Sequence, residues 1–204
     1  MSLRKLILIR HGETDGQSSV RYYGATDVDL SAEGREQMRQ VAGVLRHQAI
    51  ELWVASSLQR SWKGAQLASG GRAQIKIESG LREIHFGAWE GKTAEEIKAS
   101  DPVRFEDWQS GKDAFEYPNG ELREAFRARI AEALVHVNAT GARNAACVLH
   151  KGVIREIVRA LTGATMDRSK PALGEIVEVV KTPSGEWVLG ARSSDPVGLG
   201  VEAA

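Results

Sequence analysis

One cysteine in 204 residues, no excess of either charge and no long hydrophobic run: these shortages already exclude several kinds of protein. A single thiol, Cys147, cannot build an internal disulfide framework, and its place in the apolar run Ala145–Leu149 reads as that of a buried small hydrophobe. Lys plus Arg and Asp plus Glu both number 27, so the composition gives no support to a nucleic-acid or polyanion partner. Any cationic character has to be local. The opening stretch MSLRKLILIRHG has four successive apolar residues, too few for the apolar part of a signal peptide or for a membrane span. A cytoplasmic protein without membrane attachment is expected. No GxGxxG and no GxxxxGK[ST] occurs, Ser56-Ser57 lacks the strand–turn–helix GxSxG setting of a serine hydrolase, and the tryptophans at 53, 62, 89, 108 and 187 are too scattered for a base-stacking platform.

What is present is an alternation of strands and helices. The continuous apolar run at 5–9 suits a buried parallel strand, and the polar, glycine-containing stretch 10–30 reads as a long loop of the kind usually kept for function. Ser31 caps a helix reaching about residue 47, with Met38, Val41, Ala42 and Leu45 at helical spacing. A strand at 51–55, a helix at 58–68 and an alternating strand at 74–78 follow. Residues 81–92 are aromatic and glycine-rich, as an irregular segment lining a site would be. Short surface helices at 93–99 and 102–110, a longer helix at 121–138, a strand at 145–149 and a helix at 153–161 come next. Strands at 175–181 and 186–192 flank Pro183-Ser184-Gly185, a hairpin at the sheet edge. With 42% hydrophobic residues and no repeat or linker, residues 1–192 read as one domain and 193–204 as a flexible tail. The expected fold is a three-layer α/β/α domain with a mostly parallel sheet and an antiparallel edge.

Five residues follow or lie just beyond these strands: Arg10, His11, Arg60, Glu83 and His150. Open α/β sheets gather ligands outside the carboxyl ends of their strands, so residues far apart in sequence can meet there. A guanidinium forks two donors onto two phosphate oxygens and keeps its charge, which suits Arg10 and Arg60. A neutral imidazole between an arginine and a glycine, as at His11, is a nucleophile toward phosphorus, and His150 can donate a hydrogen bond to the same group. Glu83, near Phe86 and Trp89, can deliver a proton to a departing oxygen if burial keeps it protonated, or can simply pair with Arg82 or another arginine. Zinc held by Glu83, His85 and His11 or His150 is the rival, and two nearby arginines argue against a dication. Tyr22, Tyr23, Trp89, Phe105 and Trp108 either wall a pocket or pack the core.

These residues resemble a family. LIRHGET at 8–14 is similar to the signature of the histidine phosphatase superfamily, in its phosphoglycerate-mutase-like branch. The likeness continues through Arg21, Gly24, Asp27, Leu30, Gly34 and Gln37, then SSLQR at 56–60, LREIHFGAWEG at 81–91, NGE at 119–121 and HKGVIR at 150–155. The resemblance implies the family's α/β sheet, a transient phosphohistidine on His11, a phosphoryl group held by Arg10, Arg60 and His150, proton transfer by Glu83, and no metal. It also nominates Gln17, Arg21 and Lys151 for substrate contact. Three positions depart from the pattern. Gln17 replaces a common Asn, His85 stands where Asp is common, and His150-Lys151-Gly152 replaces His-Gly-Gly, so that Lys151 either adds charge at the pocket mouth or points to solvent.

Cofactor-dependent phosphoglycerate mutases of the resembled branch carry a longer insertion here and an arginine pair for the substrate carboxylate, whereas the segment 84–149 is short, lacks an Arg-Arg pair, and has an acidic and aromatic middle, FEDWQSGKDAFEYPNGE. A phosphomonoesterase acting on a small phosphate ester is therefore expected, and FGAWEG with NGE resembles alpha-ribazole and broad-specificity phosphatases. A phosphoglycerate mutase, which would need a 2,3-bisphosphoglycerate primer, and a non-catalytic phosphate- or phosphoprotein-binding module are the alternatives, as is a phosphatase of phosphoproteins. Homodimer formation is left open.

Overall fold

A computed structural model describes residues 3–111 and 115–193. Its six-stranded sheet has the order β3-β2-β4-β1-β5-β6, with β1 at Lys5–Arg10, β2 at Leu52–Ala55, β3 at Ile75–Ile77, β4 at Asn144–Leu149, β5 at Ile176–Lys181 and β6 at Trp187–Ser193. The first four are mutually parallel, β5 runs antiparallel to β1, and β6 pairs antiparallel with β5. The central strands β1 and β4 are buried on both faces, as their unbroken apolar sequences require. The strand pleat divides them. Leu6 and Leu8 enter one hydrophobic cluster, and Ile7 and Ile9 enter another on the opposite face.

The second cluster is closed by helices α1 (Ala32–Leu45) and α2 (Gln59–Ala68), through Met38, Val41, Leu45, Ala65 and Ala68. The first is closed by α5 (Arg123–Ala139) and α6 (Lys151–Thr162), through Phe126, Ile130, Val137, Val153 and Ile157. This is the expected three-layer α/β/α arrangement with an antiparallel edge. Ser31 caps α1 as anticipated, its side chain accepting the Gly34 N–H at 3.0 Å. The hairpin turns at Gly185, whose φ of 93° lies in the left-handed region. α6 begins two residues earlier than the periodicity suggests and ends on Gly163 in the left-handed conformation. β6 runs through Ser193, and residues 194–204 of the expected tail lie outside the described residues.

A third, smaller cluster sits over the carboxyl edge of the sheet. Helices α3 (Ala94–Ser100) and α4 (Pro102–Gln109) supply Ile97 and Phe105, which pack with Trp89 and Phe115. Tyr22, Phe86, Trp108 and Tyr117 pack against it, with mostly edge-to-face ring contacts at 5.0–6.2 Å. This aromatic patch roofs the space above β1 and β4.

The long loop after β1 is seated on α1 by two glycines. A side chain at Gly12 would collide with the backbone of Gly34, and one at Gly34 would collide with the carbonyl of Glu13. Gly34→Ala is expected to destabilise the protein by about 1–3 kcal/mol, because neither backbone can yield without moving the loop. A thermal unfolding midpoint unchanged from the parent would refute that close contact.

Candidate active site

His11 follows β1 directly, and its backbone N–H still reaches the Leu149 carbonyl of β4 at 2.9 Å. The ring is buried, with Nδ1 2.7 Å from the Gly12 carbonyl oxygen. A carbonyl only accepts, so Nδ1 carries the proton and Nε2 keeps a lone pair. His150, just past β4, is fully buried with its ring centroid 5.2 Å from that of His11. Its Nε2 lies 2.7 Å from Ser56 Oγ, which also accepts the Leu58 N–H at 3.3 Å. Donation from Ser56 to Nε2 is the assignment that places the ring proton on Nδ1. Both imidazoles are held well below their ordinary pKa, by burial first and then by the charge of Arg60 and Arg10, so each is neutral.

The two guanidinium groups are gripped by backbone. Arg60, 0% exposed, donates from Nη1 to Thr26 O (2.8 Å) and from Nη2 to Tyr23 O (3.0 Å) and Gly24 O (2.8 Å). Arg10 donates from Nη1 to Pro171 O (3.0 Å) and from Nη2 to Ser18 O (3.4 Å). Burial pulls Arg10 down to about 10 and lowers Arg60 as well, yet both stay charged at neutral pH. Among the described residues, five buried side-chain nitrogen or oxygen atoms lack a hydrogen-bond partner, and three belong here: Arg10 Nε, Arg60 Nε and His150 Nδ1. The other two, Gln40 Oε1 and Trp89 Nε1, belong to α1 and to the aromatic patch. Three unsatisfied donors beside one lone-pair nitrogen form a receptor for an oxyanion.

Glu83 is buried and accepts two backbone donors, Ile84 N–H on Oε1 (3.0 Å) and Gly152 N–H on Oε2 (2.9 Å). The second is one of the unpaired amides of the first turn of α6. A Cβ at position 152 would strike Glu83 Oε1, so only glycine lets the helix end approach this closely. Burial raises the carboxyl pKa, while the two amides, Arg60 and Arg10 restrain the rise. No ion pair to Arg82 or to any other residue engages Glu83 among the described residues; the Arg82 carbonyl instead accepts Arg129 Nη1 at 2.6 Å. Arg129 also binds the Gly80 carbonyl at 2.6 Å, the Glu83 carbonyl at 3.1 Å and the Glu121 carboxylate at 2.6 and 2.8 Å, which pins the segment carrying Glu83.

Arg10, His11, Glu83 and Lys151 line a cavity of about 780 Å³, with Arg60 and His150 buried behind it. The remaining nominated residues are placed as follows. Lys151 is the first residue of α6, and its ammonium is lowered to about 8 by burial, Arg10 and Arg155. It is among the residues that line the cavity. Arg21 also lines the cavity, donating to Gly91 O (2.7 Å) and to Glu96 (3.0 Å), and so ties the long loop to α3. Gln17 is exposed in a turn at φ 63° and is not among the lining residues. His85 also lies off the cavity wall, its backbone paired with Glu121, and among the described residues no cluster of His, Cys, Asp or Glu has the makings of a metal site. Tyr22, Tyr23 and Trp108 face the cavity, whereas Trp89 and Phe105 are core.

The sequence reading missed Ser56 and the carbonyl cradle of Arg60. It also missed a row of cavity-facing arginines, Arg123, Arg127, Arg155 and Arg168. Two signals were there to use: Lys151 with Arg155, and Arg123 with Arg127, each four residues apart on one helix face.

Comparison with known proteins gives the family and the fold. Residues 6–189 match the sequence profile of the histidine phosphatase superfamily (branch 1). A glucosyl-3-phosphoglycerate phosphatase of Mycolicibacterium vanbaalenii is 35% identical over 185 residues, covering 85% of this chain and 80% of that protein. An adenosylcobalamin/alpha-ribazole phosphatase of Salmonella typhimurium is 28% identical over 159 residues, 77% of this chain and 79% of the relative. The native structure of a mycobacterial glucosyl-3-phosphoglycerate phosphatase superimposes with a TM-score of 0.77 at 27% identity, over 92% of this chain and 97% of the other.

With burial and the charges of Arg60 and Arg10 acting on both rings, His11 and His150 are expected to remain neutral at about pH 6.5, where a free imidazole is half protonated. Nitrogen chemical shifts in histidine-labelled protein would read this directly, with His11 in the Nδ1–H form. A protonated ring at that pH, or His11 in the Nε2–H form, would contradict the geometry.

Proposed function

Because the chain belongs to branch 1 of the histidine phosphatase superfamily, we propose that it is a phosphomonoesterase that hydrolyses a small phosphate ester through a phosphohistidine on His11. The observation that carries this reading is the set of three unpartnered buried donors, Arg10 Nε, Arg60 Nε and His150 Nδ1, beside a histidine whose lone pair is fixed on Nε2.

In this reading the phosphoryl oxygens accept the three donors, and the two guanidinium charges offset most of the dianion. His11 Nε2 forms a bond to phosphorus as the ester P–O bond breaks. Glu83, kept protonated by burial, gives its proton to the departing alkoxide, and the alcohol leaves. The ionised carboxylate then takes a proton from water as that water attacks phosphorus. The P–N bond breaks, inorganic phosphate is released, and His11 and Glu83 return to their starting forms. The positive charge that builds on the His11 ring is spread toward the Gly12 carbonyl, which holds Nδ1–H. No step calls for a metal, and a dication would be repelled by Arg10 and Arg60.

The relatives named as phosphatases favour hydrolysis over phosphoryl return to a second substrate. They act on unlike organic groups, so the shared chemistry is that of the phosphate, and specificity belongs to the outer cavity. A binding module would have no use for Glu83 held between an amide cap and two arginines. A cytoplasmic setting and a small-molecule partner suit this reading; among the described residues no helix is long and apolar enough to cross a membrane.

In chelator, His11→Ala is expected to abolish phosphate release from para-nitrophenyl phosphate while leaving the unfolding transition cooperative. Glu83→Gln should slow an alkyl phosphate by about 100-fold or more and the nitrophenyl ester much less, since a good leaving group needs little proton assistance. Equal losses on both esters would remove Glu83 as the acid, and activity retained by His11→Ala would overturn the phosphohistidine.

A further inference from the structure

Away from the phosphoryl centre the cavity carries a second group of cations. Its cations are Lys151 and Arg155 on consecutive turns of α6, Arg168 in the segment after that helix, and Arg123 at the start of α5. Other arginines of this outer region have carboxylate partners. Arg21 pairs with Glu96 at 3.0 Å, and Arg127 and Arg159 pair with Glu156 at 3.7 and 2.6 Å. Among the described residues, no carboxylate comes within ion-pair distance of Lys151, Arg123, Arg155 or Arg168.

Three of these four are instead aimed by carbonyls and rings. Arg155 Nη1 donates to Asp167 O at 2.9 Å, Arg168 Nη1 to Gln109 O at 2.8 Å, and Arg123 Nε to Phe115 O at 2.7 Å. Arg168 stacks over Trp108 at 5.3 Å and Arg123 over Phe115 at 5.9 Å. A carbonyl orients a guanidinium without cancelling its charge, and each of these arginines keeps donors unused. The Asp167 carboxylate, which acts on both Arg155 and Lys151, is turned to the Ser169 N–H and hydroxyl at 2.8 and 2.5 Å. The cations also feel one another. Arg155 is lowered by burial and then by Arg168, and Lys151 by burial, Arg10 and Arg155. Packing like charges together at a cavity wall is unfavourable unless an anion comes to sit among them.

Resting on the phosphatase reading, we propose that this wall binds a second anionic group of the substrate, so that the preferred ester joins its phosphate to an alcohol bearing a carboxylate or another phosphate. Lys151 lies between the two regions, next to Arg10 on one side and Arg155 on the other, so the second anion sits within a few bonds of the ester oxygen.

The test compares matched esters. 3-Phosphoglycerate and glycerol 3-phosphate differ only in a carboxylate against a hydroxymethyl group, and fructose 1,6-bisphosphate and fructose 6-phosphate differ by a second phosphate. Titration calorimetry on the His11→Ala protein reads binding of all four without turnover, so the result stands whether or not the protein proves to be a phosphatase. The doubly anionic member of at least one pair should bind about tenfold or more tightly, the gain expected of one charge-assisted contact. The pair that shows it says whether a carboxylate or a phosphate is recognised. Arg155→Gln and Arg168→Gln should each reduce that ratio severalfold, and Arg155→Lys should keep more of it than Arg155→Gln. Ratios near one in both pairs would overturn the second-anion site, as would a preference untouched by both glutamine variants. The phosphatase reading fails separately, if para-nitrophenyl phosphate and all four esters yield no phosphate with the parent protein.

Discussion

Two guanidinium cations at the end of a parallel sheet, with no carboxylate among the described residues within bonding reach, are the constraint around which this molecule is arranged. Charge taken out of water is unfavourable by several kcal/mol per ion unless its donors are met. Here the compensation comes from backbone carbonyls. Tyr23, Gly24 and Thr26 meet Arg60, and Ser18 and Pro171 meet Arg10. The long loop after β1 must therefore be rigid, and the structure shows how. Glu90 accepts the N–H groups of Gly24, Ala25, Thr26 and Phe86 and the Thr26 hydroxyl, gathering the cradle with one carboxylate. Gly12 and Gly34 let the loop sit against α1, and Arg21 ties it to α3. The arginines keep their charge for a phosphate because no acid was placed to cancel it.

The same constraint explains why the histidines are neutral. A protonated imidazole beside Arg10 and Arg60 would add a further cation to a dry pocket, so burial and repulsion act in one direction on both rings. The Gly12 carbonyl then fixes the position of the remaining proton on His11, and Ser56 can do the same for His150. A nucleophilic lone pair and an outward-facing donor follow from two short hydrogen bonds. Ser56 lies next to a strand end and far from His150 in sequence, which is why neither periodicity nor motif spacing revealed it.

Legibility in the sequence followed the range of the interactions. β1 and β4 were readable because strands buried on both faces need unbroken apolar runs, and their ends marked Arg10, His11 and His150. The Ser31 cap and the Gly185 hairpin were readable because both are local. The start of α6 was not, since Lys151 and Gly152 look like loop residues until the Glu83 carboxylate is seen to satisfy the helix end. The aromatic residues left undecided were divided by topology, Tyr22 and Trp108 toward the cavity and Trp89 and Phe105 into the core. The expectation that no Arg-Arg pair holds a substrate carboxylate rested on the middle of the chain, residues 84–149. The wall is assembled largely from α6 and the segment after it, joined by Arg123 at the near end of α5, and only the fold brings those together.

Glu83 is asked for two opposite acts, giving a proton to the alkoxide and then taking one from water. A carboxyl buried without partners would stay protonated and serve only as an acid. One capping a helix within the field of two arginines would stay ionised and serve only as a base. The structure applies both influences to the same group: burial is the largest and raises the pKa, and the amides of Gly152 and Ile84 with Arg60 and Arg10 oppose it. The balance shifts during the reaction in the direction the chemistry needs. Arrival of a phosphate dianion offsets the two arginines and favours the protonated acid. After the alcohol leaves, charge on the phosphorylated His11 ring favours the carboxylate that must accept a proton from water. Gly152 supplies one of the opposing influences from the helix end: a side chain there would collide with the Glu83 carboxylate, and moving the helix end away would remove one of the groups that oppose burial.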